Sequence, residues 1–421
     1  MSAWDCGVWL LCIACAVGAF QVPAGASEAP PDAPRAAVSP SIARLEAGGT
    51  AQFEVTPLSG ESGEQGPVAP RAVEWSVNGK PGGGQESGTI TGDGLYTAPD
   101  RLPAYTEVSI AATIEGAGKR CAWATVLLGP DLPRYGVVDT WRQQRQGTAR
   151  PVGTHAICLE AGGNVVVSVG NRICRFTRHG RLIGELPVGA GPGGPEFGGP
   201  RAMAVDAEGN IYMVDGTLPR VFRFNREGGL DAQWGEKGSG PGQFMRPHSI
   251  AVGQAGRVYI GDVDNGRIQV YDTSGKFLFQ WGERGTGPGQ FMAPHGIFVD
   301  PNGDVFVVEY DGRRCQKFTP DGKHLATFAQ MPFTDKLTYH SMAGDSRGNV
   351  YLIVRDQTYE RSAITKYNNA GDFITSIAPP AKGGRLFMPE CAAVGSDGRV
   401  YVTAKARARV AMYVLGPATR R

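Results

Sequence analysis

The chain has no apolar run long enough to cross a bilayer: its longest, Val8 to Phe20, falls short of the roughly 20 residues a spanning helix needs. No transmembrane segment is therefore expected. Charge of one sign is also missing, because 42 Lys and Arg face 40 Asp and Glu, interspersed, for a formal net charge of +2. Without a basic stripe there is no electrostatic footprint for nucleic acid, which is not expected as a partner. No long window repeats apolar residues every 3.6 positions, so almost no helix is expected. Histidine is scarce, with six in 421 residues. Beyond residue 26 the cysteines reduce to Cys121, Cys158, Cys174, Cys315 and Cys391, without the close spacing of a zinc or redox motif. They are expected as buried thiols with at most one or two disulfides. Glycine and proline are plentiful instead, 61 and 30 residues, which suits many short strands joined by tight turns.

A chain of this length exceeds a single core, and two folded units behind an export segment are expected. Val8 to Phe20 followed by Ala24-Gly25-Ala26 has the pattern of a cleaved signal peptide over residues 1–26. A lipoprotein cysteine at Cys15 is the alternative. Either makes the protein exported, periplasmic or extracellular. Residues 27–37, rich in Pro and Ala, have the composition of a linker.

Residues 38–129 show short alternating strands around Trp75, in Val73-Glu74-Trp75-Ser76-Val77-Asn78-Gly79, followed by Gly88-Thr89-Ile90 and Gly94-Leu95-Tyr96-Thr97-Ala98-Pro99. A tryptophan on such a strand plugs the core of a two-sheet sandwich. These segments resemble the bacterial immunoglobulin-like domains of secreted proteins, which implies a β-sandwich acting as spacer or adhesive module.

Self-similarity dominates the remainder. Trp234 to His248 and Trp281 to His295 are near-copies of one fifteen-residue segment, 47 residues apart. Aligning apolar strands extends the pattern to six units, whose second strands begin at Asn164, Asn210, Arg257, Asp304, Asn349 and Arg399. A period of 45 to 50 residues is the range of propeller blades. Third strands follow as Arg-x-x-x-aromatic, as in Arg267 to Tyr271, and an acid five residues before three of the arginines, Asp215, Asp262 and Glu309, suggests a repeated, surface-near intrablade ion pair. The last unit lacks a fourth strand, and Gly136 to Trp141 has the character of the missing one. An N-terminal strand that completes the last blade closes a ring without an unpaired edge. The fold class expected is all-β, a six-bladed β-propeller over 135–416 behind the sandwich. The Gly-Pro-Gly-Gln-Phe-x-x-Pro-His and Arg-Ile-Gln-Val-Tyr segments resemble the NHL-repeat family, which implies the same architecture.

In the six inner strands, the residue two before the second hydrophobic position is His155, Arg201, His248, His295, His340 and Glu390. A closed ring puts equivalent positions at one height around one axis, so four of the six histidines are expected to converge. Neutral imidazoles so placed suit zinc or another divalent metal, which takes three or four N or O ligands. His155, His248 and His340, on alternate blades, are candidate metal ligands, with His295 and Glu390 able to complete the shell and Arg201 able to bind an anionic group. Imidazoles hydrogen-bonded in a polar channel without metal are the alternative.

Among propeller enzymes the ring resembles the peptidyl-hydroxyglycine amidating lyases. That resemblance implies zinc on His155, His248 and His340, and places the family's catalytic tyrosine on Tyr310. The family's arginine falls on Gly216, leaving Arg201 and Arg355 as the candidate catalytic arginines, and its acid after the last zinc histidine is here Ser341. The leading expectation is a binding module whose mouth holds a peptide, glycan or protein ligand, with long Gly-rich loops such as 189–199 lining it. A metal-dependent lyase is the other. A lyase needs Tyr310 and the histidine ring at one mouth, and a binder needs neither.

Overall fold

The computed structural model describes residues 35–58, 73–102, 107–114, 120–129, 135–142, 154–169, 172–186, 198–253, 255–329, 337–356, 362–377, 389–406 and 409–417. The expected signal segment, most of the linker and most of the 189–199 loop lie outside them. The described residues are strand, turn and irregular backbone without helix, and no helix among them is long and apolar enough to cross a membrane.

Six four-stranded antiparallel sheets follow one another along the chain, and each inner strand packs beside the next until the sixth meets the first. The chain is a six-bladed β-propeller. Blade 3 illustrates the unit, its strands Pro247–Val252, Val258–Asp262, Arg267–Tyr271 and Phe277–Trp281 being hydrogen-bonded in that order. Its second strand is buried along its whole length because the neighbouring blades cover both faces. Val258, Ile260 and Tyr271 pack against Tyr212, Val214 and Val221 of blade 2, while Tyr259, Ile268 and Val270 pack against Val305, Val307 and Phe318 of blade 4. Apolar residues alternating along each strand thus weld every blade to both neighbours.

Blade 6 runs Pro389–Val394, Val400–Ala406 and Arg409–Pro417, and its fourth strand is Tyr135–Arg142, paired antiparallel with Val137 opposite Leu415 and Thr140 opposite Tyr413. The ring closes as the missing strand required, one residue wider at each end than 136–141. Second strands begin one residue later than the repeat alignment places them, at Val165, Ile211, Val258, Val305, Val350 and Val400, because the preceding residue belongs to the turn.

The intrablade ion pair is corrected in two respects. It forms as Arg267–Asp262 at 3.3 Å and Arg314–Glu309 at 2.5 Å, whereas the Asp215 carboxylate instead accepts from the backbone N–H groups of Gly198, Gly199, Thr217 and Leu218. And the two pairs are buried, not near the surface: Asp262 and Glu309 are fully covered. The repeated loop explains why. Arg267 Nη2 donates to the carbonyls of Gly240 and Gln243, and Arg314 Nη2 to those of Gly287 and Gln290, each at 2.9 or 3.0 Å. The acid takes loop N–H groups in turn, Met245 and Arg246 on Asp262 and Met292 on Glu309. Each Gly-Pro-Gly-Gln-Phe loop is therefore nailed to the blade that follows it, and the Pro-His after the loop is delivered at a fixed height. Gly282 turns with φ of +87° where an added Cβ would lie 2.5 Å from the Phe291 ring, so only glycine lets the phenylalanine tuck under.

Ahead of the propeller, Ile42–Leu45, Arg120–Leu128, Glu107–Ile114, Val73–Val77 and Lys80–Pro81 make one sheet, and Thr50–Gln52, Leu95–Thr97, Gly88–Ile90 and Gly83–Gly84 another. One buried cluster joins them, with Phe53, Trp75, Tyr96, Val108, Ile110 and Val126 in it. Trp75 is buried as its strand pattern requires.

This sandwich rests on the propeller. Lys366 reaches Glu107 at 2.5 and 2.6 Å, Asn302 exchanges two hydrogen bonds with the backbone of Cys121, and Asn368 donates to the Ser41 carbonyl at 2.9 Å. Asn302 lies in the turn between the first two strands of blade 4, and Asn368 in the turn between the last two of blade 5. Because strands alternate direction, both turns belong to the end of the ring opposite the start of the inner strands. The histidine register, at that start, faces away from the sandwich. The five cysteines among the described residues are free thiols, three of them buried.

Candidate functional site on the propeller axis

The inner strands open with the register residues, and each is displaced by an irregularity in pairing at that point, as between Pro247 and Ser249, Pro294 and Gly296, Tyr339 and Ser341, and Pro389 and Cys391. A bulge re-aims a side chain that strict alternation would point elsewhere. The result is a chain of contacts around the axis. His248 and His295 stack with ring centroids 3.6 Å apart, His295 and His340 lie 5.0 Å apart, and His248 and His340 6.2 Å apart.

Backbone carbonyls settle two tautomers. His248 Nδ1 lies 3.3 Å from the His295 carbonyl and His295 Nδ1 2.8 Å from that of His340. A carbonyl oxygen only accepts, so both Nδ1 atoms carry the proton and both Nε2 atoms keep a lone pair. Burial pushes the pKa of both imidazoles well below the usual value, reinforced at His248 by His295, His340 and Arg201 and at His295 by His340. These two histidines are neutral acceptors near pH 7.

Glu390, 2% exposed, is the hub of the other half. His340 Nε2 lies 3.0 Å and His155 Nδ1 3.5 Å from its Oε2, while Arg355 Nη1 donates to Oε1 at 3.0 Å. Burial opposes its ionisation, but the bonds from His155 and His340 and the charge of Arg355 outweigh it and hold the carboxyl well below the usual range. Arg355 is thereby placed as counter-ion to Glu390, a role that its strand position alone did not suggest.

Tyr310 sits at the same mouth, its ring 5.0 Å from His295 and 6.3 Å from His340. Arg201 lies over Gly216, where an added Cβ would come 2.7 Å from its Cγ and 2.8 Å from its Nε. A cavity of about 90 Å³ runs along the axis, lined by Arg201, His248, His295, His340, Ser341 and Cys391 among others. Seven of the eight singled-out residues are joined by direct contacts, and Arg201 joins them as a wall of the cavity.

Among the described residues no group of three His, Cys, Asp or Glu side chains is arranged to hold a metal ion. The geometry gives the reason. The rings of His248 and His295 stack 3.6 Å apart at an interplanar angle of 29°, and the Nδ1 atom of each is bonded to a backbone carbonyl. His155 and His340 are meanwhile turned to Glu390. Sequence reasoning missed the backbone acceptors that orient His248 and His295. The Pro-His repeat was their trace, since a histidine recurring once per blade finds the next blade's identical backbone beside it.

A family model described as 6-bladed beta-propeller matches residues 254–375, and with the closed ring it defines the class of this chain: a six-bladed β-propeller protein. No curated protein matches the chain. Similar solved structures include virginiamycin B lyase from Staphylococcus aureus, at 14% identity and TM-score 0.46 over 67% of this chain and 90% of that one. A gluconolactonase from Xanthomonas campestris shows 13% identity and TM-score 0.46 over 68% and 98%, and regucalcin, a calcium-binding protein from Agrobacterium tumefaciens, 15% and 0.44 over 65% and 95%. At such identities the likeness concerns the fold alone.

Proposed function

We propose that the protein is an exported recognition propeller that takes a polar group of a peptide, glycan or protein ligand into the axial cavity at the histidine mouth. The observation that carries this is the paired neutral acceptors, His248 and His295, beside a carboxylate already neutralised by Arg355. Such a set holds hydrogen-bonding groups in fixed positions inside a concave site, the usual make-up of a binding pocket. The sandwich covers the opposite face and leaves this one for a partner. Peptide and glycan arrays probed with wild type and with His295→Gln test the reading. Ligands lost in the variant while its melting temperature holds support it; ligands indifferent to His295 place recognition elsewhere and sink it.

A second reading, a metal-dependent lyase resembling the amidating lyases, is favoured by the position of Tyr310 against His295 and His340. It requires the imidazoles of His155 and His340 to leave Glu390, to which both are bonded. Elemental analysis decides it. About one zinc per chain, lost in the His155→Ala, His248→Ala, His340→Ala variant, supports the reading and justifies assaying hydroxyglycine peptides. No bound metal after zinc reconstitution removes it.

A further inference from the structure

Arg201 and Glu390 are the two register residues that are not histidines, and the surroundings of Arg201 assign it a use. Its side chain lies flat over Gly216, the residue that follows the second strand of blade 2, Ile211–Asp215. The corresponding residues are Val263 after Val258–Asp262 in blade 3 and Tyr310 after Val305–Glu309 in blade 4. Either side chain at position 216 would occupy the volume that the arginine stem now fills. The bare backbone of blade 2 therefore gives the arginine stem its seat, beside the axial cavity that Arg201 lines.

Most charged side chains around that cavity are already engaged among the described residues, Asp215 by four backbone N–H groups. Glu390 is bound to Arg355 at 3.0 Å, and Arg246, outside the cavity wall, is bound to Asp264 at 2.8 Å. His248 and His295 are neutral, for the reasons given above. Arg201 has no carboxylate partner among the described residues and lines the cavity beside His248. A planar fork of donors presented to a small cavity matches the two oxygens of a carboxylate. The Nε2 lone pairs of His248 and His295 exclude a bare anion at their own positions, but they accept from an N–H or O–H borne next to the carboxylate.

We propose that Arg201, seated on Gly216, is the anchor for a ligand carboxylate that carries a neighbouring hydrogen-bond donor, a refinement that rests on the axial cavity being the ligand site. An acylamino acid and a uronic sugar share this chemistry, the first with an N–H and the second with hydroxyls beside the acid. Both are small enough to test directly.

The experiment is isothermal titration of the full chain with two matched pairs: N-acetylglycine against N-acetylglycinamide, and glucuronate against glucose. At least one acid binds tenfold or more tighter than its neutral counterpart, and which pair responds identifies the source. Arg201→Gln erases that preference, and Arg201→Lys recovers part of it because a point charge replaces the fork. Gly216→Ala lowers the affinity for the acid, leaves the neutral compound unchanged and keeps the melting temperature, because its φ is ordinary and only the arginine must move. Equal affinity for acid and neutral compound, or a preference that survives Arg201→Gln, overturns the carboxylate assignment while the axial site stands. Binding of none of the four compounds overturns both.

Discussion

His340 Nε2 and Glu390 Oε2 lie 3.0 Å apart across the boundary between blades 5 and 6, although 50 positions separate them in the chain. The same carboxylate holds Arg355 from the second strand of blade 5 and His155 from blade 1. One side chain thus ties together the last two blades and the first, at the place where the ring closes.

Removing that carboxylate is expected to be costly. Glu390→Ala takes the carboxylate at 3.0 Å away from the buried Arg355, a change of the kind that costs about 3–5 kcal/mol. Glu390→Gln keeps the hydrogen-bonding shape and loses less. Urea denaturation of the three proteins checks the order wild type, Gln, Ala; an Ala variant as stable as wild type contradicts the hub.

Acid is expected to weaken the fold before carboxylates titrate. His248 and His295 have folded pKa values below the unfolded value of 6.5, so the unfolded chain binds more protons as the pH falls past 6.5. Their contribution is complete above pH 6.5 and is lost progressively below it, by at most about 1.4 kcal/mol per pH unit for each histidine. Glu390 has a depressed pKa and its contribution persists until far lower pH. Melting temperature should therefore fall between pH 7 and 5, and fall less in the His248→Gln, His295→Gln double variant. An unchanged slope in that variant assigns the loss to other groups.

The contact of the sandwich with the propeller is expected to hold in solution. Lys366 and Glu107 are 3% and 11% exposed in their side chains, so truncating one leaves a largely buried charge. Lys366→Ala should loosen the two units and admit protease between them, whereas Lys366→Met with Glu107→Leu should restore much of the loss. Limited proteolysis with small-angle scattering measures this, and equal cleavage of all three proteins contradicts a docked sandwich.

Two glycines of the same loop should separate steric from conformational cost. Gly282 and Gly289 both have positive φ, +87° and +79°, but a Cβ on Gly282 meets the Phe291 ring at 2.5 Å while one on Gly289 meets nothing within 4 Å. Gly289→Ala is expected to cost the backbone term alone, about 1–2 kcal/mol. Gly282→Ala adds displacement of a buried ring, roughly 1–3 kcal/mol more. Equal losses in denaturant midpoint contradict the packing account of the repeat.

Local pattern carried most of the architecture. A 47-residue repeat, strand alternation and a missing fourth strand answered by Gly136 to Trp141 were enough for six blades and their closure, because each blade is a unit that must bury its faces against the next. The shared register of His155, Arg201, His248, His295, His340 and Glu390 was legible for the same reason. Symmetry of the ring converts sequence spacing into proximity.

What each residue does there was decided by tertiary structure alone. Blade symmetry makes the six positions equivalent, yet His248 and His295 stack and bond to backbone carbonyls, His155 and His340 turn to Glu390, and Arg201 lies over Gly216. These choices depend on the register carboxylate Glu390, on Arg355, on the bare Gly216 beneath Arg201, and on the burial that keeps two imidazoles neutral. The docking of the sandwich through Lys366, Asn302 and Asn368 left no trace in the repeat either. Periodicity encodes what the blades have in common, and contacts between dissimilar residues distant in the chain exist only once the ring has closed.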